Sequence, residues 1–546
     1  MIVLDIETNL AHDTIWVVCV KVNDIPVVEV FDADELQRLL DLDDGVVVAH
    51  NGIGFDFPVL ERVWGIRVPE HRQFDTLTLS RLLAPMRDGG HSLKAWGIRL
   101  GFEKMEFDVE DFDGGYTEEM GIYCKRDVEV NARLYHHLLT QADKMKFSQE
   151  SIQLEHDVAR ITKQQEINGF KLDFSLAVQW QTDMTNRMQA IENDLQQRFP
   201  PIVTERWSEK TGKRLKDDVE VFNVGSRQQI AKRLSSLGVK FNKHTPTGTP
   251  VINEDTLASI DKEEAQLCSE YLQLVKLNGM VTSWIDACDA TTHRIHGRVN
   301  TCGAITGRMT HSSPNLAQIP SLKIARQCFT VDEGNVLVGC DASGLELRCL
   351  AHYMQDDKYT EQILEGDIHT YNQQAAGLPE RNMAKTMIYG LIYGAGDAKL
   401  GTIVDGSAKD GKRIRDTFLR KTPALKQLID KVKRIAENNK SVPGLDGRRV
   451  WVDEDYKSLN RLLQSCGAIV MKKAVVFAHT RLTQNGIPFK LVAQVHDEFQ
   501  FETPAQFGKA VGLIAKQSII DAGLYFNMRC PQDGEFKIGT SWADTH

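Results

Sequence analysis

The 546-residue sequence predicts an α/β domain at its start and, beyond it, an α+β domain whose sheet is interrupted by a long helical stretch. Three observations carry this. Met1–Glu7 and Val46–His50 are apolar runs of strand length, and Val128–Leu139 has helical spacing. Further on, the strand Val336-Leu337-Val338-Gly339-Cys340 and a hairpin-like pair, Lys490–Val495 and Phe499–Glu502, flank a region of helical periodicity from about 356 to 484. Finally, the chain is too long for a single ordinary core.

Between these parts, residues 151–200 read as helical with an interruption at Gly169. The polar stretch Pro200–Asp218 then separates that helix from Val221–Gly238 and reads as a connection. In the helical region, Pro379 suits a helix start, and Gly394-Ala395-Gly396 suits a stop. No internal repeat is visible.

The composition is globular, with 42% hydrophobic and 26% charged residues. The net charge of −10 is divided unevenly along the chain. Residues 1–150 carry 28 acidic and 15 basic side chains, whereas the remainder carries 47 and 50, so the larger part is free to form basic grooves. The ten cysteines include no C-x-x-C pair, and Cys340, Cys349 and Cys466 read as small reduced hydrophobes rather than zinc ligands. The N-terminus lacks a basic leader, and no run approaches the ~20 apolar residues of a membrane helix. A cytoplasmic protein without a membrane partner is expected.

Asp5 and Glu7 stand two apart on a predicted strand and share a face. Asp56 follows His50-Asn51-Gly52, and Asp127 lies one helical turn after Tyr123. Taken singly, these are an ordinary solvated strand pair, a loop residue and a helix face. Together they would repel one another unless hard cations such as Mg²⁺ or Mn²⁺ lay among them. Asp341 ends one strand and Asp497 falls in the turn between two others, so one sheet would bring a second carboxylate pair together. Between them, Arg381, Lys385, Tyr389 and Tyr393 recur every four residues on one helix stripe. Two cations followed by two aromatics suit phosphates at one end and a base and sugar at the other. A solvated face with core tyrosines would have the same spacing.

The ordered set Asp5-x-Glu7, Asn51-Gly52-x-x-x-Asp56 and Tyr123-x-x-x-Asp127 resembles the motifs of DEDDy 3′→5′ proofreading exonucleases. The segments Thr306-Gly307-Arg308, Pro314–Pro320, Asp341–Arg348, Lys385–Gly396 and Val495-His496-Asp497-Glu498 resemble family A (DNA polymerase I-type) DNA polymerases. Ala342-Ser343-Gly344, Gly366–Thr370, Tyr389 itself, Gly444–Arg448, Leu463-Gln464-Ser465 and the ending Trp542–His546 are similar to the branch found in T-seven-type podophages.

The resemblance implies an RNase H-like α/β exonuclease domain over 1–145 and a right-hand polymerase domain over 146–546. The thumb would span about 175–295, the palm about 296–355 and 485–546, and the fingers about 356–484. It implies Asp5, Glu7, Asp56 and Asp127 as metal ligands with Tyr123 orienting water, and Asp341 and Asp497 as ligands of the polymerase metals. Two Mg²⁺ ions per site are expected, with Mn²⁺ as a substitute. Arg381, Lys385 and His369 would grip the triphosphate, and Tyr389 would stack near the nascent pair. Glu346 would exclude a ribose 2′-OH while holding Tyr389, and Tyr393 would border the template base. Arg308 and Gln464 would reach minor-groove acceptors common to all correct pairs, and His496 would lie against the primer terminus.

Implied partners are primer-template DNA and dNTPs, with a helicase–primase and a single-strand DNA-binding protein beside them. The podophage branch carries a thumb insertion that recruits thioredoxin, but about twenty residues stand between Phe199 and Phe222 here, a loop's length. Thioredoxin dependence is therefore not expected. Lys210, Lys213, Arg214 and Lys216 in that stretch read as solvated rather than as phosphate contacts, and the basic runs 409–421 and 431–440 as solvated helix faces rather than partner sites. No 5′-nuclease domain precedes Asp5, so nick translation is not expected. The function expected is proofreading DNA synthesis for phage replication; the alternatives are a repair or gap-filling polymerase and a stand-alone exonuclease.

Overall fold

The computed structural model describes residues 1–105 and 113–546. Its first strand, β1 (Ile2–Thr8), is the centre of a five-stranded sheet, because both of its faces are apolar enough to be covered. Antiparallel β2 (Ile15–Val22) and then β3 (Val28–Val30) lie on one side of it. Parallel β4 (Val47–Ala49) and β5 (Gln73–Asp75) lie on the other. Ile2, Leu4 and Ile6 bury one face against Phe57 and Leu60 of helix α1 (Asp56–Trp64). Val3, on the opposite face, packs with Cys124 and Val128 of helix α2 (Glu118–Lys144). Thr117 caps α2, and Glu118 and Glu119 complement its N-terminal dipole. The expected strands at 1–7 and 46–50 are present. Strands β3 and β5, three residues each, are too short for periodicity to reveal.

Helix α3 (Gln149–Asn168) follows and stops at Gly169, whose φ of 61° suits glycine alone. Two compact units result. The first comprises Met1–Gly169, Gly297–Ile319 and Val331–His546; the second comprises Phe170–His296 and Pro320–Thr330. The second unit pairs Phe170–Leu172 with Arg294–Ile295 and Phe329–Thr330. Its long helices Phe174–Arg198 and Glu263–Asp286 contribute Ile191, Leu195, Ala265 and Cys268 to a core shared with Phe222 and Ile230. The stretch read as a connection is instead a ribbon, with Ile202–Thr204 antiparallel to Asp218–Glu220, a Trp207–Arg214 bridge, and Gly212 at a φ of 64° in the turn.

The second sheet of the first unit centres on β6 (Asn335–Ala342). Its order is β7 (Lys490–Val495), β8 (Glu498–Pro504), β6 and β9 (Gly534–Gly539), all antiparallel. One face is covered by a helix at Gly508–Tyr525 that comes so close to β9 that a Cβ on Gly512 would lie 2.2 Å from the Phe536 ring. Between β6 and β7 come helices α4 (Leu345–Met354), α5 (Ile368–Ala376), α6 (Arg381–Ile392) and α7 (Ser458–Gln484), among others. The helical region is broken by a short ribbon pairing Ser441–Pro443 with Arg449–Trp451.

One sequence expectation needs correction. The helix Asp455–Gln484 is long and apolar enough to cross a membrane by length and composition, but its most apolar window is 72% buried within the chain. Its apolarity belongs to a core helix that packs on every side. All ten cysteines are free thiols.

Candidate active sites

Asp341 is the penultimate residue of β6, opposite Glu498 of β8, and Asp497 lies in the two-residue turn between β7 and β8. His496 makes that turn with a φ of 54°. The Ala342 amide donates to the Asp497 carbonyl at 2.9 Å, so main chain ties the two aspartates together. Burial pushes the Asp341 carboxyl up to about 7, reinforced by Asp497, then Glu498 and Glu535. Paired hard oxygen donors, with Asp341 raised in part by the charge of Asp497, suit a divalent cation. Glu498, missed by sequence reasoning, is buried and held by Trp542 Nε1 at 2.7 Å and His546 Nδ1 at 2.9 Å. Its sequence signals were its place in the Val495–Glu498 segment and the Trp542–His546 ending, neither of which showed the contact.

Helix α6 carries Arg381, Lys385 and Tyr389, with Tyr393 at its C-cap. Arg381 donates twice to Asp367, which also caps α5 through the amides of His369 and Thr370. His369 is held below its ordinary pKa by burial and then by Arg381 and Lys385, and its Nδ1 is buried without a hydrogen-bond partner among the described residues. Tyr389 and Tyr393 stack at 6.4 Å between ring centroids, and His369 lies 6.4 Å from the Tyr389 ring.

Here the structure departs from the expected pairing of Glu346 with Tyr389. Glu346 accepts from the Tyr393 hydroxyl at 2.7 and 2.9 Å and pairs with Arg308 at 3.0 Å. Tyr393, a turn further on where α6 ends, is the phenol in reach of the first turn of α4. Arg308 and His496 share a small recess with Ala468 and Gln494, and Gln464 lies one turn before Ala468 on α7.

The loop before Arg308 rests on a buried ionic cluster that sequence spacing did not reveal. Lys472 donates to the carbonyls of Thr301 and Gly307 at 2.8 Å each, and pairs with Glu155 at 2.6 Å. Arg448 pairs with Glu155 and Asp446, each at 2.6 Å. Burial alone would raise the Glu155 carboxyl, but Lys472 and Arg448 together hold it at about 2.

In the N-terminal sheet, Asp5 and Glu7 share the face of β1 that α2 covers, and α2 brings Tyr123 and Asp127 to it. Asp56 opens α1, after a tight approach in which a Cβ on Gly52 would lie 2.4 Å from Ala49. Burial, then neighbouring carboxylates, pushes Glu7 up to about 8, and Asp5 well above its ordinary value. Burial also raises Asp56 to about 7 and Asp127 to about 6. Asp56 Oδ1 and Asp127 Oδ1 are buried without a hydrogen-bond partner among the described residues. Mutually repelling carboxylates with orphaned oxygens fit divalent cations. Ligand atoms of Asp5, Glu7 and Cys124 lie within 4.8 Å of one another, and the Cys124 thiol approaches Asp5 Oδ2 at 3.8 Å. Sequence reasoning also missed Lys104, which pairs with Asp127 and sits 4.5 Å from the centroid of the Tyr123 ring.

A family model described as DNA polymerase family A matches residues 188–544. The DNA-directed DNA polymerase of Escherichia phage T7 is 32% identical over 92% of this chain and 92% of its own length. That of Enterobacteria phage T3 is 31% identical with the same coverage. DNA polymerase I of Aquifex aeolicus is 27% identical over 95% of this chain and 91% of its own. The POL domain of Pol1 from M. smegmatis, solved in complex with DNA primer-template and dNTP, has a TM-score of 0.83 at 19% identity. It covers 100% of this chain and 95% of that one, so the right-hand fold is shared. These matches displace the stand-alone exonuclease alternative. The chain therefore belongs to the family A DNA polymerases and is a DNA-directed DNA polymerase.

Proposed function

We propose that the chain replicates a phage genome, extending a primer 3′ end at the Asp341/Asp497 centre and proofreading at the Asp5/Glu7/Asp56/Asp127 centre. The observation that carries the first half is the main-chain tie between Asp341 and Asp497 in a sheet whose helical insertion supplies Arg381, Lys385, Tyr389 and Tyr393. Two Mg²⁺ ions held there would lower the pKa of the primer hydroxyl and neutralise charge on the leaving pyrophosphate. Arg381, oriented by Asp367, joins Lys385 and His369 in binding the triphosphate. Tyr389 presents its ring to the incoming base, and Tyr393 borders the template base. Glu346, fixed by Tyr393 and Arg308, closes the space a ribose 2′-OH would need. Arg308 and Gln464 test the minor groove for acceptors that every correct pair presents. His496 lies against the primer terminus.

At the second centre, metal ions on the four carboxylates would activate a water for attack on the terminal phosphodiester. Tyr123 orients that water. On this reading residues 1–145 form the exonuclease, the second unit corresponds to the thumb, and the helical insertion to the fingers.

The test is a pair of variants assayed on a primed template. Asp341→Asn abolishes extension and leaves 3′→5′ degradation, whereas Asp5→Ala does the reverse. Loss of both activities from either change would overturn the two-centre reading. Strand-displacing synthesis with a phage-type helicase–primase and single-strand binding protein separates replication from gap filling.

A further inference from the structure

We infer that Lys104 is a built-in counter-ion of the exonuclease centre, occupying Asp127 until a divalent metal displaces it. The inference rests on the reading of that centre as a metal-dependent nuclease. Once ionised, three buried carboxylates and the half-buried Asp5 repel one another, and a cation among them relieves that repulsion whether or not metal is present. Lys104 is placed for this. Its ammonium contacts Asp127 Oδ2, and its side chain is only 21% exposed. It acts favourably on the charges of Asp5 and Glu7 as well. Its Nζ also stands 4.5 Å from the centroid of the Tyr123 ring, so one ammonium covers both the carboxylate and the aromatic residue of the α2 pair.

The Asp127 oxygen that Lys104 does not contact, Oδ1, is buried without a hydrogen-bond partner among the described residues, and so is Asp56 Oδ1. The ammonium thus satisfies half of Asp127 and leaves a remainder that one monovalent cation cannot fill. A divalent ion on Asp127 brings a second positive charge to the place where Lys104 sits, and the two repel at contact distance. Metal entry and departure of Lys104 from Asp127 are therefore the same event. The departing ammonium stays tethered beside Tyr123. Lys104 is in this sense a positioning residue for the metal.

The experiment uses the full chain carrying Asp341→Asn, which removes a ligand from the polymerase centre. Mn²⁺ binding is measured by titration calorimetry at pH 8.5, so that protons do not compete with the metal. Melting temperature is read in EDTA and in saturating Mg²⁺. Lys104→Met is expected to bind Mn²⁺ about tenfold more tightly, because the competing cation is gone. It is expected to melt below its parent in EDTA and level with it in Mg²⁺. Lys104→Arg, which keeps the charge, should bind Mn²⁺ as the parent does. Unchanged or weaker Mn²⁺ binding by Lys104→Met, or a melting deficit equal in EDTA and Mg²⁺, would overturn the inference. Asp127→Asn supplies the separate control. If it leaves Mn²⁺ binding intact, the carboxylates are not the metal centre, and the nuclease reading fails regardless of Lys104.

Discussion

Replacing Glu155 by Gln tests the buried cluster beneath Arg308. The substitution keeps the side-chain volume and removes one negative charge from between Arg448 and Lys472, whose side chains are 3% and 1% exposed. Asp446 still faces Arg448, but Lys472 would lose its charged acceptor and keep neutral ones, among them the carbonyls of Thr301 and Gly307 and Cys302 Sγ at 3.7 Å. A carboxyl held at about 2 against an ordinary 4.5 favours its charged form by about 3 kcal/mol. Breaking a buried pair by removing one partner costs about 3–5 kcal/mol, so both routes agree on a large loss. Because the folded-state value is depressed, this stability is present above pH 4.5 and fades as pH falls towards 2. Urea unfolding at pH 7 should show a loss of about 3 kcal/mol or more for Glu155→Gln. The double variant with Lys472→Met should recover part of it, since no unpaired ammonium is then buried. A loss below about 1 kcal/mol, or strictly additive effects, would refute the reasoning.

Three further outcomes are expected. Without metal, Asp127, Asp56 and Glu7 titrate near 6, 7 and 8, above their ordinary values, so their stabilising contribution is full below about pH 4 and is lost as pH rises through 8. In the Asp341→Asn chain, whose polymerase centre lacks a ligand, Mg²⁺ should therefore raise the melting temperature more at pH 8 than at pH 6, and not at all once Asp5 and Asp127 are also replaced. With Tyr389 present, dideoxynucleotides should be incorporated comparably to normal ones in single-turnover extension. Tyr389→Phe should then lower their use about 10- to 100-fold, the worth of a lost hydrogen bond of 1–3 kcal/mol. Added thioredoxin should leave product length unchanged in a trap-limited extension assay; a large increase would show a clamp site that the short ribbon at Ile202–Glu220 does not suggest.

The two centres were legible in the sequence to different depths. Asp5 and Glu7 could be paired because a strand has a period of two, and Tyr123 and Asp127 because a helix puts i and i+4 on one face. The stripe from Arg381 to Tyr393 followed from the same geometry. Partners held by tertiary contact alone were not legible. Lys104 lies 23 residues from Asp127, and no period links the two. Asp367 was visible in the sequence only as part of the Gly366–Thr370 resemblance, and only the fold shows that it caps α5 and orients Arg381. Glu155 and Lys472 are charged residues on long helices, a pattern that normally means solvent, and four separated segments are needed to bury them together. The ribbon at Ile202–Glu220 was missed because charges dilute its alternation of Val203 and Trp207.

The main-chain bond between Ala342 and Asp497 has an evolutionary consequence. The spacing of Asp341 and Asp497 is set by a β-ladder, while the groups proposed to choose and hold the nucleotide hang on the helices inserted between its strands. Drift in those helices can retune sugar selection or triphosphate affinity without altering the distance between the aspartates. Natural variants should accordingly fall into two classes: helix changes that alter which nucleotide is taken, and ladder changes that stop chemistry for all of them.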